Sequence, residues 1–138
     1  MLRLLGNIIW LILGGLEAAF AYFVAGAVCF LLIVTIPFGI QSFKLGIYTL
    51  WPFGTTLRRV ARDPVSGLLA VIGNVMWLVL FGWWLALIHL VAAMLSALTI
   101  IGIPFAVAHL KLLRASLAPF GYRVVPWTGD EESIRPLG

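Results

Sequence analysis

The chain repeats itself. Gly6-Asn7-Ile8-Ile9-Trp10-Leu11 returns as Gly73-Asn74-Val75-Met76-Trp77-Leu78, and Ile36-Pro37-Phe38 returns as Ile103-Pro104-Phe105. Lys44-Leu45 reappears as Lys111-Leu112, and Pro52-Phe53-Gly54 as Pro119-Phe120-Gly121. Every pair is separated by 67 residues. A single offset shared by all of these segments means two tandem copies of one unit, and the fold must satisfy both.

The solvent for that unit is lipid. Of 138 residues, 63% are hydrophobic and 10% are charged, where a soluble domain carries about 25% charged residues. Residues 4–43 hold one charge, Glu17, and residues 64–110 hold none. Each run far exceeds the roughly 20 apolar residues that span a hydrocarbon core. Arg3 opens the first run, but no small-residue cleavage site closes a short apolar core, so the run reads as retained membrane sequence rather than a signal peptide. The lone Cys29 excludes an internal disulfide and implies no cysteine-based metal site.

The net charge is +4, and its placement carries the information. Arg3 precedes the first run, while Lys44, Arg58, Arg59 and Arg62 lie between the runs. Lys111, Arg114, Arg123 and Arg135 follow the second. Basic residues collect on the cytoplasmic side. Both termini and the middle are therefore expected inside, with an even number of crossings per copy. The same flanking position argues against a nucleic-acid partner.

The expected architecture is an all-α membrane protein of two tandem parallel-repeat helical hairpins, with about four transmembrane helices. The boundaries are residues 5–54 for the first repeat, 55–67 for a basic cytoplasmic linker, 72–121 for the second repeat, and 122–138 for a cytoplasmic tail. Helix over the 45 residues from Asn7 to Trp51 rises about 67 Å, twice a hydrocarbon core of about 30 Å. The first helices are placed near Gly6–Phe20 and Gly73–Leu87, and the second near Phe23–Leu50 and Leu90–Leu117. The turns then fall near the counterparts Tyr22 and His89, where no Pro-Gly or Asn-Gly signal stands. Two other arrangements fit the same residues. One has a single long tilted helix per repeat followed by a surface helix, though it puts Arg58, Arg59 and Arg62 opposite the basic C-terminal segment, against the charge bias. The other has hairpins that re-enter inside the membrane.

Pro37 and Pro104 are expected to break the second helices, because each lacks an N–H and clashes with the carbonyl four residues back. Pro52 with Gly54, and Pro119 with Gly121, stop those helices. The tail Gly129–Gly138, with Asp130, Glu131 and Glu132, has little to bury and is expected to be disordered.

These segments resemble the YccF family of small bacterial inner-membrane proteins. The resemblance is carried by Phe81-Gly82-Trp83-Trp84-Leu85-Ala86-Leu87-Ile88-His89, by Thr99-Ile100-Ile101-Gly102-Ile103-Pro104-Phe105 and by Lys111. In the first copy it is carried by Asn7-Ile8-Ile9-Trp10, Gly14-Gly15, Ile36-Pro37-Phe38-Gly39, Phe43-Lys44 and Leu50-Trp51-Pro52-Phe53-Gly54. It covers residues 5–125. Thr35 and Ala106 stand where the family pattern has glycine, so the two halves need not bend alike. The resemblance implies a multi-pass protein of the bacterial inner (plasma) membrane and brings no catalytic residues with it.

Glu17 is the one acid inside an oily run. A charge at the centre of a membrane helix costs about 2.5–3.5 kcal/mol on insertion scales, so such residues usually face a bundle interior or a wet cavity. The functional reading is a cation or proton site shared with His89 or Tyr22. The plain reading is a solvated carboxyl near the interface. His89 and His109 lack an acidic cluster, which makes them polar packing rather than metal ligands. Asn7 and Asn74 read as N-caps, or else as hydrogen bonds between helices. Ala25 with Cys29, and Ala92 with Ser96, form small-residue stripes that let helices approach closely. Trp10, Trp51, Trp77, Trp83, Trp84 and Trp127 read as an interfacial belt.

No G-x-S-x-G, H-E-x-x-H or phosphate-cradling glycine loop is present, so no enzyme and no cofactor is expected. A two-hairpin bundle has few internal neighbours, which points to a homo-oligomer in the bilayer. The first functional reading is a channel or transport component with a path lined by Glu17 and by backbone freed at Pro37 and Pro104. The alternative is a non-transporting accessory or scaffold protein that recruits a cytoplasmic partner through Arg58, Arg59 and Arg62.

Overall fold

The computed structural model describes residues 1–60 and 64–127. Each repeat is a long helix, a tight turn, a returning helix and a short strand. The first comprises α1 (Leu2–Trp10), α2 (Leu16–Leu31), α3 (Ile36–Leu50) and β1 (Thr55–Arg59). The second comprises α4 (Pro64–Trp77), α5 (Trp83–Ala97), α6 (Ile103–Leu117) and β2 (Tyr122–Pro126). A π-helical turn joins α1 to α2 over Leu11–Gly15, and another joins α4 to α5 over Leu78–Gly82. Among the described residues, three stretches are long and apolar enough to cross a membrane: Leu2–Leu31, Ile33–Leu50 and Pro64–Ala97.

The turns do not fall at Tyr22 and His89. Both residues lie inside α2 and α5, which run on to Leu31 and Ala97. The reversals come some ten residues later, at Leu32–Thr35 and Leu98–Gly102. The reason is local: nothing near Tyr22 or His89 interrupts the helical ladder, whereas a proline waits just after each true turn. Pro37 and Pro104 occupy the first turn of α3 and α6. There the missing N–H would have had no helical partner anyway, and the fixed φ favours initiation. They start helices instead of kinking them. The distortions sit in the first helices, where Gly14 adopts φ 138° and widens the turn.

The two reversals differ in construction. Thr35 Oγ1 donates to the carbonyls of Cys29 (2.6 Å) and Leu32 (2.8 Å) and seals a 3-10 turn. In the second copy Gly102 N–H donates to Thr99 Oγ1 at 3.0 Å. A Cβ on Gly102 would stand 1.9 Å from the Ser96 carbonyl oxygen, so this version of the turn requires glycine.

Within each repeat, α2 packs along α3 and α5 along α6. Gly26 and Gly39 bring the first pair close, and buried Ala93 and Ala106 are their counterparts. Cys29 belongs to this packed seam, while Ala25, Ala92 and Ser96 are half-buried beside it.

The stretch expected to be a basic cytoplasmic linker carries β1, which pairs antiparallel with β2 from the tail. Gly54 and Gly121 precede the strands at φ 104° and 107°, so the same glycine turn delivers both. Leu57 faces Val124, which is its own counterpart 67 residues on. Counterparts can face one another only on a two-fold axis. The aromatic contacts obey the same symmetry. Phe38 meets Phe120 with ring centroids at 5.6 Å, and Phe53 meets Phe105 at the same 5.6 Å. Expectations for Arg62 and for the acidic tail fall outside the described residues.

A polar seam on the pseudo-two-fold axis

The candidate site lies where the two repeats touch. Tyr22 projects from α2 and His89 from α5, and the Tyr22 hydroxyl stands 2.9 Å from His89 Nε2. The other ring nitrogen of His89 lies 3.1 Å from His109 Nδ1 on α6. Ser116, also on α6, lies near the Tyr22 hydroxyl, while its own hydroxyl donates to the Leu113 carbonyl at 2.8 Å. Tyr22 is fully buried and His89 is 1% exposed. His109 lies against the Trp10 ring, with centroids 4.4 Å apart. A hydroxyl and two imidazoles thus form one unbroken chain inside an apolar bundle.

That chain has two neutral arrangements over the same heavy atoms. In one, Tyr22 donates to His89 Nε2 and His89 Nδ1–H donates to His109. In the other, His109 Nδ1–H donates to His89, and His89 Nε2–H donates to the Tyr22 oxygen. Either satisfies both His89 nitrogens, which buried polar groups require. Among the described residues no group of three metal-ligating side chains is present.

A second tier of polar contacts fixes each first helix. Asn7 Nδ2 donates to the Phe53 carbonyl at 2.9 Å, and its Oδ1 accepts from Phe53 N–H at 3.0 Å. Asn74 repeats both bonds on Phe120, at 3.0 and 2.9 Å. Neither asparagine is an N-cap: each is a two-point clamp on the Pro-Phe-Gly turn of its own repeat. Trp10 Nε1–H donates to the Thr49 carbonyl at 2.7 Å, and Trp77 Nε1–H to that of Ser116 at 2.6 Å. These two tryptophans are therefore core residues, not part of an interfacial belt. Ser42 Oγ donates to the Tyr22 carbonyl at 2.5 Å and ties α3 to α2.

Of the residues singled out from sequence, Tyr22 and His89 come together. Glu17 does not join them. It is exposed on the outer surface of α2, as is its counterpart Trp84 on α5. Pro37 and Pro104 are likewise exposed, next to the hairpin turns. The role of His109 escaped the sequence reading, yet a signal was there. His109 is the counterpart of Ser42, and His89 of Tyr22, so both copies keep polar groups at both positions in otherwise oily helices. Arg58 and Arg59 lie on β1, where Arg59 Nε donates to the Tyr122 hydroxyl at 3.3 Å.

Comparison with known proteins matches this architecture. A family model described as the YccF inner membrane component domain matches twice, over residues 5–55 and 72–122. The protein named inner membrane protein YccF from Escherichia coli (strain K12) is 30% identical over 130 residues, covering 90% of this chain and 88% of its own length. The protein of the same name from Shigella flexneri matches to the same extent. No solved structure matches the chain.

Proposed function

Because this chain belongs to the YccF family of inner membrane proteins, we propose that it is a membrane-embedded scaffold that works through its cytoplasmic face. The observation that carries this reading is the closed axis. Between the repeats stand Tyr22, His89, Trp10, Trp77, Leu45 and Leu112, each at most 1% exposed. A path for ions needs hydrated space, and this seam is occupied by side chains packed on each other. At one end of the same axis the β1–β2 ribbon presents Arg58 and Arg123 side by side on one face. Such a ribbon, with Arg59 next along β1, suits an acidic segment of a partner protein.

A homo-oligomer belongs to this reading. Glu17 lies on the outer surface of an oily helix, where a second copy would shield it from lipid better than hydrocarbon does.

A second reading, an oligomeric channel or transport component, draws support from the Tyr22–His89–His109 chain, since ionisable groups deep in membrane proteins commonly serve transport. Its path would run between protomers, past Glu17. Ion flux through purified protein in liposomes, with Glu17→Gln beside wild type, separates the two. The scaffold reading expects no flux above empty liposomes for either. Flux that the substitution alters would overturn it in favour of a channel.

A further inference from the structure

The two repeats have diverged at one pair of equivalent cavities. The first lies on the outer side of α3. It has a volume of about 650 Å³ and is lined by Lys44, Ile47, Tyr48, Thr55 and Val124 among other apolar residues. Moving each of these by the repeat offset gives Lys111, Arg114, Ala115, Tyr122 and Leu57. Those five residues line a cavity of about 320 Å³ at the C-terminal end of α6. Five of the nine residues lining the first hollow thus map onto the second, yet the chemistry of the two differs. Arg114 replaces Ile47, and Trp127 stands on the second wall where the first copy has Val60.

The lysines also diverge. Lys44 Nζ is tied into the fold: it donates to the Pro119 carbonyl at 3.1 Å, to the Tyr122 carbonyl at 3.0 Å and to the Gln41 side chain. Lys111 makes none of the equivalent bonds. Its ammonium lies 5.9 Å from the centre of the Trp127 ring. Lys111 and Arg114 stand three apart on α6, so both project from one helix face. The Thr56 side chain adds a hydroxyl to the wall.

We propose that this second cavity binds a phosphate anion at the cytoplasmic membrane surface. Two cations on one wall supply charge-assisted donors, and Arg114 offers a planar fork that matches phosphate oxygens. Phosphate of this kind comes either from an anionic phospholipid headgroup or from free phosphate. The place of the site, between the C-terminal end of α6 and the β1–β2 ribbon, suits the headgroup. The scaffold reading above is not needed for this site.

The test uses the full chain purified in detergent. Retention of phosphatidylglycerol, with phosphatidylcholine as competitor, is followed by native mass spectrometry. In parallel, inorganic phosphate is titrated against Trp127 fluorescence, assigned with Trp127→Phe. Arg114→Ile installs the residue the first copy already carries, so the fold should survive, and a thermal melt checks that it has. Arg123→Gln removes one charge from β2 outside the cavity, the match for Arg114→Ile alone. Wild type and Arg123→Gln should retain phosphatidylglycerol alike. Arg114→Ile combined with Lys111→Gln should weaken retention by about tenfold or more. Phosphate binding without lipid retention, lost in the same double variant, would keep the site and assign it to soluble phosphate. Equal loss in Arg123→Gln would mean diffuse charge attraction and overturn the proposal, as would a folded double variant that binds like wild type.

Discussion

The Tyr22 hydroxyl and His89 Nε2 lie 2.9 Å apart, and the two residues hold the same position in the two repeats. A bond between counterparts has to sit on the symmetry axis, and any change to it is felt by both halves. One copy carries a phenol there and the other an imidazole, a pair that can bond each other. Two tyrosines would also pair, but only the imidazole passes the contact on to His109.

Tyr22→Phe keeps the ring and removes that bond. It strands a buried imidazole nitrogen, which costs about 1–3 kcal/mol. Unfolding of the reconstituted protein should show that loss. A double-mutant cycle with His89→Leu should show coupling of about 0.5–2 kcal/mol. Additive losses would mean that the seam contributes no specific contact between the repeats.

Asn7→Ala and Asn74→Ala should each destabilise by about 1–3 kcal/mol, because each leaves a Pro-Phe-Gly turn with an unpaired N–H and carbonyl. Asn7→Asp keeps only the acceptor half of the clamp and should fall between wild type and Asn7→Ala. An N-cap role would instead predict that aspartate replaces asparagine without loss. Thermal melts of the three variants decide.

Gly102→Ala should destabilise by about 1–3 kcal/mol through overpacking, since its Cβ would strike the Ser96 carbonyl at 1.9 Å. Gly67→Ala meets open space in α4 and should stabilise by about 0.5–1 kcal/mol. Comparable effects at the two positions would mean that the second turn is looser than its contacts imply.

The hairpin turns should lie in hydrocarbon. Leu31, Ile33 and Val34 are each more than 80% exposed, and Ile100 is 87% exposed. The Thr35 and Thr99 hydroxyls and the N–H groups of Thr35, Thr99, Gly102 and Ile103 are bonded within the turns, which lowers the cost of lipid surroundings. With Cys29→Ala as background, Val34→Cys and Ile101→Cys should resist a membrane-impermeant maleimide from either face and react once detergent is added. Thr56→Cys should react from the cytoplasmic face. Reaction of Val34→Cys from the outer face would place the turn in water.

Much of this molecule was legible from residue pattern. The shared offset gave two copies, the oil gave the membrane, and Pro-Phe-Gly gave the end of each hairpin. The turns were misplaced because length alone was used to divide a helical run. The prolines that mark the true turns were read as interruptions, when a proline in a first helical turn is an initiator. Asn7 was misjudged because its partner, Phe53, is 46 residues away. Glu17 drew attention as the one acid in an oily run, but composition does not say which face of a helix looks inward.

The sequence by itself determined that two like units would sit in a bilayer with their charged ends together, since repetition and transfer energy act on residue types wherever they pack. Tertiary structure alone decided how the units meet. The antiparallel register that sets Leu57 against Val124 also sets Tyr22 against His89 and leaves Lys44 tied down while Lys111 faces a cavity. Those outcomes depend on which side chains converge on an axis. No local propensity encodes an axis, because it exists only once both repeats have folded against each other.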